Sequence, residues 1–154
     1  MRTALAPMLA PMLALAAPAA AQPAWADGTW TIEKAEIASW ADPKIWADET
    51  EAKKLIGQTV AFGARSVEAP PPLYCTRPVY TVRDMPPEGL FEGGLSVPDY
   101  AGRPQDAKAL AVRLGLTAAT APTLETCTEI QFHRISDDTM VFALDNRIYT
   151  MKRK

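Results

Sequence analysis

From Thr126 to Met151, apolar and polar residues alternate with a period of two, the pattern of strands buried on one face. Thr126, Thr128, Ile130 and Phe132 alternate with polar neighbours and predict a strand over Thr126 to Ile135. Ser136-Asp137-Asp138 predicts a three-residue turn, after which Met140, Phe142 and Leu144 alternate on a returning strand. That loop length sets Phe132 opposite Phe142 and Ile130 opposite Leu144; a two-residue loop would set His133 opposite Phe142 and waste the pattern. Asp145-Asn146 is a second tight turn, because Asn tolerates left-handed backbone, and it pairs Phe142 with Tyr149 and Met140 with Met151. The expected result is a three-stranded meander with one continuous core face.

Upstream the signals are shorter. A strand is predicted over Trp30 to Ile37, then a polar helix near Asp48 to Ile56, capped by Asp48, supported by Glu49 with Lys53, and ended by Gly57. Gln58 to Val67 alternates around Val60, Phe62 and Ala64 and reads as one half-buried strand. Pro70-Pro71-Pro72 forms a rigid loop, and a strand over Thr76 to Arg83 is marked as an edge by Pro78. Asp84 to Arg103, rich in Gly and Pro, predicts turns with one short strand around Leu90 to Val97. Pro104 opens a helix over residues 104 to 116, with Asp106 in its first turn and Gly115 at its end. Ala107, Leu110, Ala111 and Leu114 share one face of that helix, which makes it a cover. Six to eight short strands with one or two helices give a mainly β (α+β) fold. The expectation is a small antiparallel barrel or half-barrel with a C-terminal three-stranded meander and one or two covering helices. An open sheet with a helix across one face is the alternative.

The first 21 residues change the picture. Arg2, the apolar stretch Leu5 to Leu15 and Ala19-Ala20-Ala21 read as a cleavable bacterial export signal, placing the mature chain in the periplasm or outside the cell. Removing 21 of the 154 residues leaves 133, one domain spanning residues 22–154. Arg2 leaves with the signal, so 15 basic residues face 18 acidic ones. That balance excludes nucleic acid as a partner, and no later apolar run is long enough for a membrane span. In an oxidising compartment Cys75 and Cys127, the only cysteines, are expected to form one disulfide.

Candidate chemistry is sparse. Glu125, Glu129 and His133 recur every fourth residue, but on a strand such positions lie roughly 13 Å apart, too far to share a metal ion. Glu125, Cys127, Glu129 and His133 are instead expected on the strand face opposite Phe132, with His133 facing solvent. Gly89-Leu90-Phe91-Glu92-Gly93-Gly94 matches no phosphate cradle, since no Lys-Ser/Thr follows. Neither a metal nor a cofactor is called for, and without an assembled nucleophile and base the chain reads as non-enzymatic.

All four tryptophans, Trp25, Trp30, Trp40 and Trp46, fall within 22 residues. Trp30 reads as core. Trp40 and Trp46, on a polar segment, are candidates either for gripping a ligand or for plugging a barrel end. Gly28-Thr29-Trp30 resembles the Gly-x-Trp opening of the lipocalins, and Pro98-Asp99-Tyr100 resembles their second motif. The resemblance implies a barrel floor closed by Trp30 beneath a basic residue from a late strand, a place Arg147 would take. The helix after Pro104 and the three strands beyond it depart from that family's order.

Two functions follow from these readings. In the first, the domain binds a small apolar or mixed ligand near Trp40 and Trp46, in a cavity of a few hundred cubic ångströms. In the second, it is a protein-interaction or inhibitor domain acting on an envelope or secreted enzyme through exposed loops: Pro70 to Tyr74, presenting Leu73 and Tyr74, and Met85 to Pro98. A filled core with rigid Pro-rich loops favours the second.

Overall fold

A computed structural model describes residues 21–154; the export segment read over residues 1–21 lies, apart from Ala21, outside them. The described residues form nine strands: β1 (Thr29–Ile37), β2 (Thr59–Phe62), β3 (Ser66–Glu68), β4 (Cys75–Thr76), β5 (Thr81–Met85), β6 (Ala121–Glu125), β7 (Phe132–Ser136), β8 (Thr139–Leu144) and β9 (Arg147–Arg153). Two short helices, α1 (Thr50–Leu55) and α3 (Ala107–Arg113), accompany them, with a single turn, α2 (Leu90–Gly93), whose Phe91 and Glu92 are left-handed. All nine strands join one sheet in the order β4-β3-β2-β1-β9-β8-β7-β6-β5. Every neighbouring pair is antiparallel. Among the described residues no helix is long and apolar enough to cross a membrane.

The sheet curls into a half-barrel. Four steps along a flat sheet separate β2 from β7, about 19 Å at the usual strand spacing. Yet the rings of Phe62 on β2 and Phe132 on β7 meet edge-on with centroids 5.0 Å apart. Trp30, Ile32, Val60, Leu124, Phe142 and Met151 fill the enclosed space, each without exposure. Phe142 and Tyr149 stack across the β8–β9 pair at 4.9 Å. The outer face of β6 to β9 carries a second apolar layer, in which Ala121, Ile135, Val141 and Ile148 meet Leu90, Phe91, Ala107 and Ala111 from α2 and α3.

The meander forms with the expected Phe132–Phe142 register, by a different device, while Ile130, expected opposite Leu144, precedes the strand. Ser136 opposes Thr139 across a two-residue turn, Asp137-Asp138, which alone would place His133 opposite Phe142. A bulge between Arg134 and Ser136 absorbs one residue, so His133 opposes Val141 and Phe132 comes level with Phe142. The extra residue, Ile135, is buried in the outer layer, which gives the bulge its apolar anchor. Asp145 and Asn146 both take left-handed backbone (φ 49° and 59°), and the turn pairs Phe142 with Tyr149 and Met140 with Met151 as the alternation requires.

Other expectations change. The stretch 58–67 is a hairpin rather than one strand, since the Gly63 amide donates back to the Ser66 carbonyl and β3 returns along β2. Thr76 to Arg83 divides into β4 and β5 around left-handed Arg77 (φ 53°). The strand expected at Leu90 to Val97 is the single turn α2. The helix over 104 to 116 contracts to Ala107–Arg113, because the Asp106 carboxylate caps the Ala109 amide and leaves Pro104 outside. Residues 126–131 are a loop, so the strand expected from Thr126 begins only at Phe132.

Candidate functional site

A barrel of nine strands needs its first and last strands to pair, and here they do not. β4 ends the sheet at one side and β5 at the other, and no ladder joins them. The Cys75–Cys127 disulfide closes this seam, holding the two Cα atoms 6.1 Å apart although β4 and β6 lie seven strands apart in the sheet. A second fastening comes from Tyr80, whose hydroxyl donates to the Gly63 carbonyl at 2.8 Å across the seam. Burial raises the Tyr80 pKa, so the protonated donor is retained.

Beside these fastenings β5 is exposed along four of its five residues and pairs with β6 alone. Among the described residues its outer edge is a row of backbone donors and acceptors without strand partners. Val82 opposes buried Leu124 and so faces the barrel interior, yet it is 45% exposed because the sheet stops there. Val79 and Tyr74 are also exposed. The disulfide and the pairing of Thr81 with Glu125 bring Tyr74, Val79 and Thr81 to the same end of the seam. Arg83 forms an ion pair with Glu125, and Asp84 lies next to it on the strand. Of the pair expected to face a partner, Tyr74 does, whereas Leu73 is fully buried in the barrel core and presents nothing.

Trp40 and Trp46 do not share a pocket. Trp40 lies against Phe91 in the outer layer, with ring centroids 6.0 Å apart, and its Nε1 donates to Asn146 Oδ1 at 3.0 Å. Gly94 lies beneath it, and a Cβ there would sit 2.8 Å from the indole and force it to shift. Trp46 borders an open cleft of about 260 Å³ with Ile45, Tyr149, Asp48, Glu51 and Arg147. The Arg147 guanidinium is spent on the Trp46 and Asp48 carbonyls. Hydrogen bonds from Thr50 hold the Asp48 carboxyl below its ordinary pKa.

The basic residue over Trp30 is Arg153, not Arg147. β1 and β9 run antiparallel, so Trp30 at the start of β1 meets Arg153, and Arg147 lies at the far end opposite Ile37. The Arg153 guanidinium stands 4.7 Å from the Trp30 ring centroid and donates to the Trp25 carbonyl. The Trp30 Nε1 donates to the Ala26 carbonyl, which satisfies its buried edge.

His133 faces neither solvent nor Glu129. It is fully buried on the outer face of the sheet, level with Thr123 of β6. Its Nε2 accepts from the Phe91 amide at 2.9 Å, and its Nδ1 lies 2.8 Å from Thr123 Oγ1. Phe91 and Glu92 hold left-handed backbone (φ 54° and 57°), which costs about 1–2 kcal/mol per residue. Sequence reasoning missed this contact because the partners stand 42 residues apart; two consecutive non-glycine residues in that conformation carry no signal in the chain. Glu125 is held by Arg83 and Glu129 sits in the 126–131 loop, so the three residues spaced by four do not converge.

Comparison with protein-family models, with curated proteins and with solved structures found no match to this chain.

Proposed function

We propose that this chain is an exported protein-recognition domain that takes an extended segment of an envelope or secreted partner onto the free edge of β5. The observation that carries the reading is that edge: a five-residue strand, unpaired on one side among the described residues, carrying exposed Val82 and flanked by exposed Val79 and Tyr74, on a half-barrel whose interior is filled. A strand edge is complementary to another strand, whose main chain supplies the hydrogen bonds while alternate side chains meet Val82 and Asp84 on one face and Arg83 on the other. The disulfide supports placement in an oxidising compartment and fixes the seam in advance of binding, which lowers the ordering cost.

Extended peptides selected from a displayed random library against the oxidised protein test the proposal. Bound peptide should protect the amides of Thr81–Met85 from hydrogen exchange, and Val82→Lys should weaken binding at least tenfold. Binding that is indifferent to Val82→Lys, or protection confined to other strands, refutes it.

The cleft beside Trp46 favours a second reading, a small ligand of apolar or mixed character held against Trp46 and Ile45. Native mass spectrometry of gently purified protein separates the two. A stoichiometric adduct lost on Trp46→Ala supports the ligand, and a clean apo mass supports the edge.

A further inference from the structure

The hydrogen bonds around His133 form a directed chain. Because Nε2 accepts from the Phe91 amide, the single ring proton of neutral imidazole sits on Nδ1 and is donated to Thr123 Oγ1. Thr123 Oγ1 in turn donates to the Ala121 carbonyl at 3.2 Å. Every polar atom of the ring is used, and only the neutral form fits. The Phe91 ring closes the site edge-on to the imidazole at 4.8 Å. This hydrogen bond and ring contact join the Phe91–Trp40 contact and the buried Leu90 side chain in holding the left-handed turn Phe91-Glu92-Gly93 against the sheet.

A second proton on Nε2 would point at the Phe91 N–H, donor against donor, and no carboxylate stands ready to receive it. On the elements packed around the ring, β8 carries no charged residue. β6 carries Glu125, held by Arg83, and β7 carries Arg134, held by Asp137. α3 carries Lys108 and Arg113, both basic. α2 carries Glu92, which with Glu129 lines a cleft shared with Phe91 and Ala143.

We propose that His133 is the catch of an acid-opened latch: protonation of Nε2 releases α2 from the outer face of the sheet and uncovers the apolar layer of Val141 and Ile148 while the barrel stays folded. The left-handed backbone of Phe91 and Glu92 favours the release, because the hydrogen bond that offsets its cost is lost. Burial alone lowers the His133 pKa to about 4, so the catch holds at neutral pH and opens only in acid.

His133 is the only histidine in the chain, so its imidazole resonances can be followed without ambiguity through a pH titration by NMR. The expected result is a midpoint near pH 4 shared by the imidazole and by the Phe91 and Gly94 amides, with β1 and β9 amides and far-UV circular dichroism unmoved. His133→Gln, which can still accept from Phe91, should keep α2 docked and abolish the transition. Thr123→Val removes the acceptor of the Nδ1 proton, which the charged ring needs more, and should move the midpoint to lower pH. An imidazole that titrates without Phe91, a cooperative loss of β1 and β9 at the same pH, or an unchanged transition in His133→Gln overturns the latch.

Discussion

Replacing the seam disulfide by Cys75→Ser with Cys127→Ser is the most informative perturbation of the fold. The bond closes a loop with a sequence separation of 52 residues. Constraining such a loop in the unfolded chain is worth about 4 kcal/mol on the chain-entropy account. Small domains have about 5–15 kcal/mol in total, so the variant should remain folded with a much thinner margin. With a urea dependence of about 2 kcal/mol per molar, the unfolding midpoint followed by tryptophan fluorescence should fall by about 2 M. The structure adds a local expectation. β4 pairs with β3 alone through two residue pairs, so without the disulfide the amides of β3 and β4 should exchange far faster than those of β1 and β9. A stability loss under about 1 kcal/mol, or faster exchange spread evenly over the sheet, would refute the view that the disulfide replaces a missing ladder.

Phe132 touches Phe62 and Phe142 at the centre of the barrel, so Phe132→Ala should cost about 3–5 kcal/mol in urea unfolding. Arg153→Met removes the guanidinium from Trp30 and the donor from the Trp25 carbonyl; a loss of about 1–2 kcal/mol in thermal unfolding is expected, with little rescue by Lys. Gly94→Ala drives a methyl group into Trp40, and the resulting overpacking should cost about 1–3 kcal/mol and shift the fluorescence of the outer layer. Global stability should fall as pH drops from about 6.5 to about 4, because the unfolded chain accepts a proton on His133 before the folded one does. The full effect is about 3 kcal/mol, and the same urea titration on His133→Gln should remove it.

How much of this was legible depended on how local each cause is. The alternation through Met140, Phe142, Tyr149 and Met151 is a local signal, and the meander formed as it dictates. The Phe132–Phe142 pairing followed from the need to keep apolar residues on one face, which a bulge satisfied as well as a longer loop. Burial of Leu73 and His133 was not legible, because each depends on a segment far away in the chain: a strand across the barrel for one and the 86–95 segment for the other. Threonine alternation over residues 126–131 imitated a strand, but those residues turn the chain at the seam and present Cys127. Of the candidate site, Pro78 marked the edge and Tyr74 its flank; that Val79 and Val82 complete it follows only once the sheet is seen to stop at β5.

The order of the strands has a kinetic consequence. β1 to β4 and β5 to β8 are two runs in which each strand lies beside its neighbours in sequence, and β9 alone joins them by lying between β1 and β8. The pairing of Trp30 with Arg153 spans nearly the whole described chain. Folding therefore awaits the most distant contact it makes, and such contacts are slow to form. Until Arg147–Arg153 arrive, the chain consists of two half-sheets without a keystone, unable to complete the barrel core. A polypeptide that stays open until its final strand is one that can still be threaded through a narrow channel.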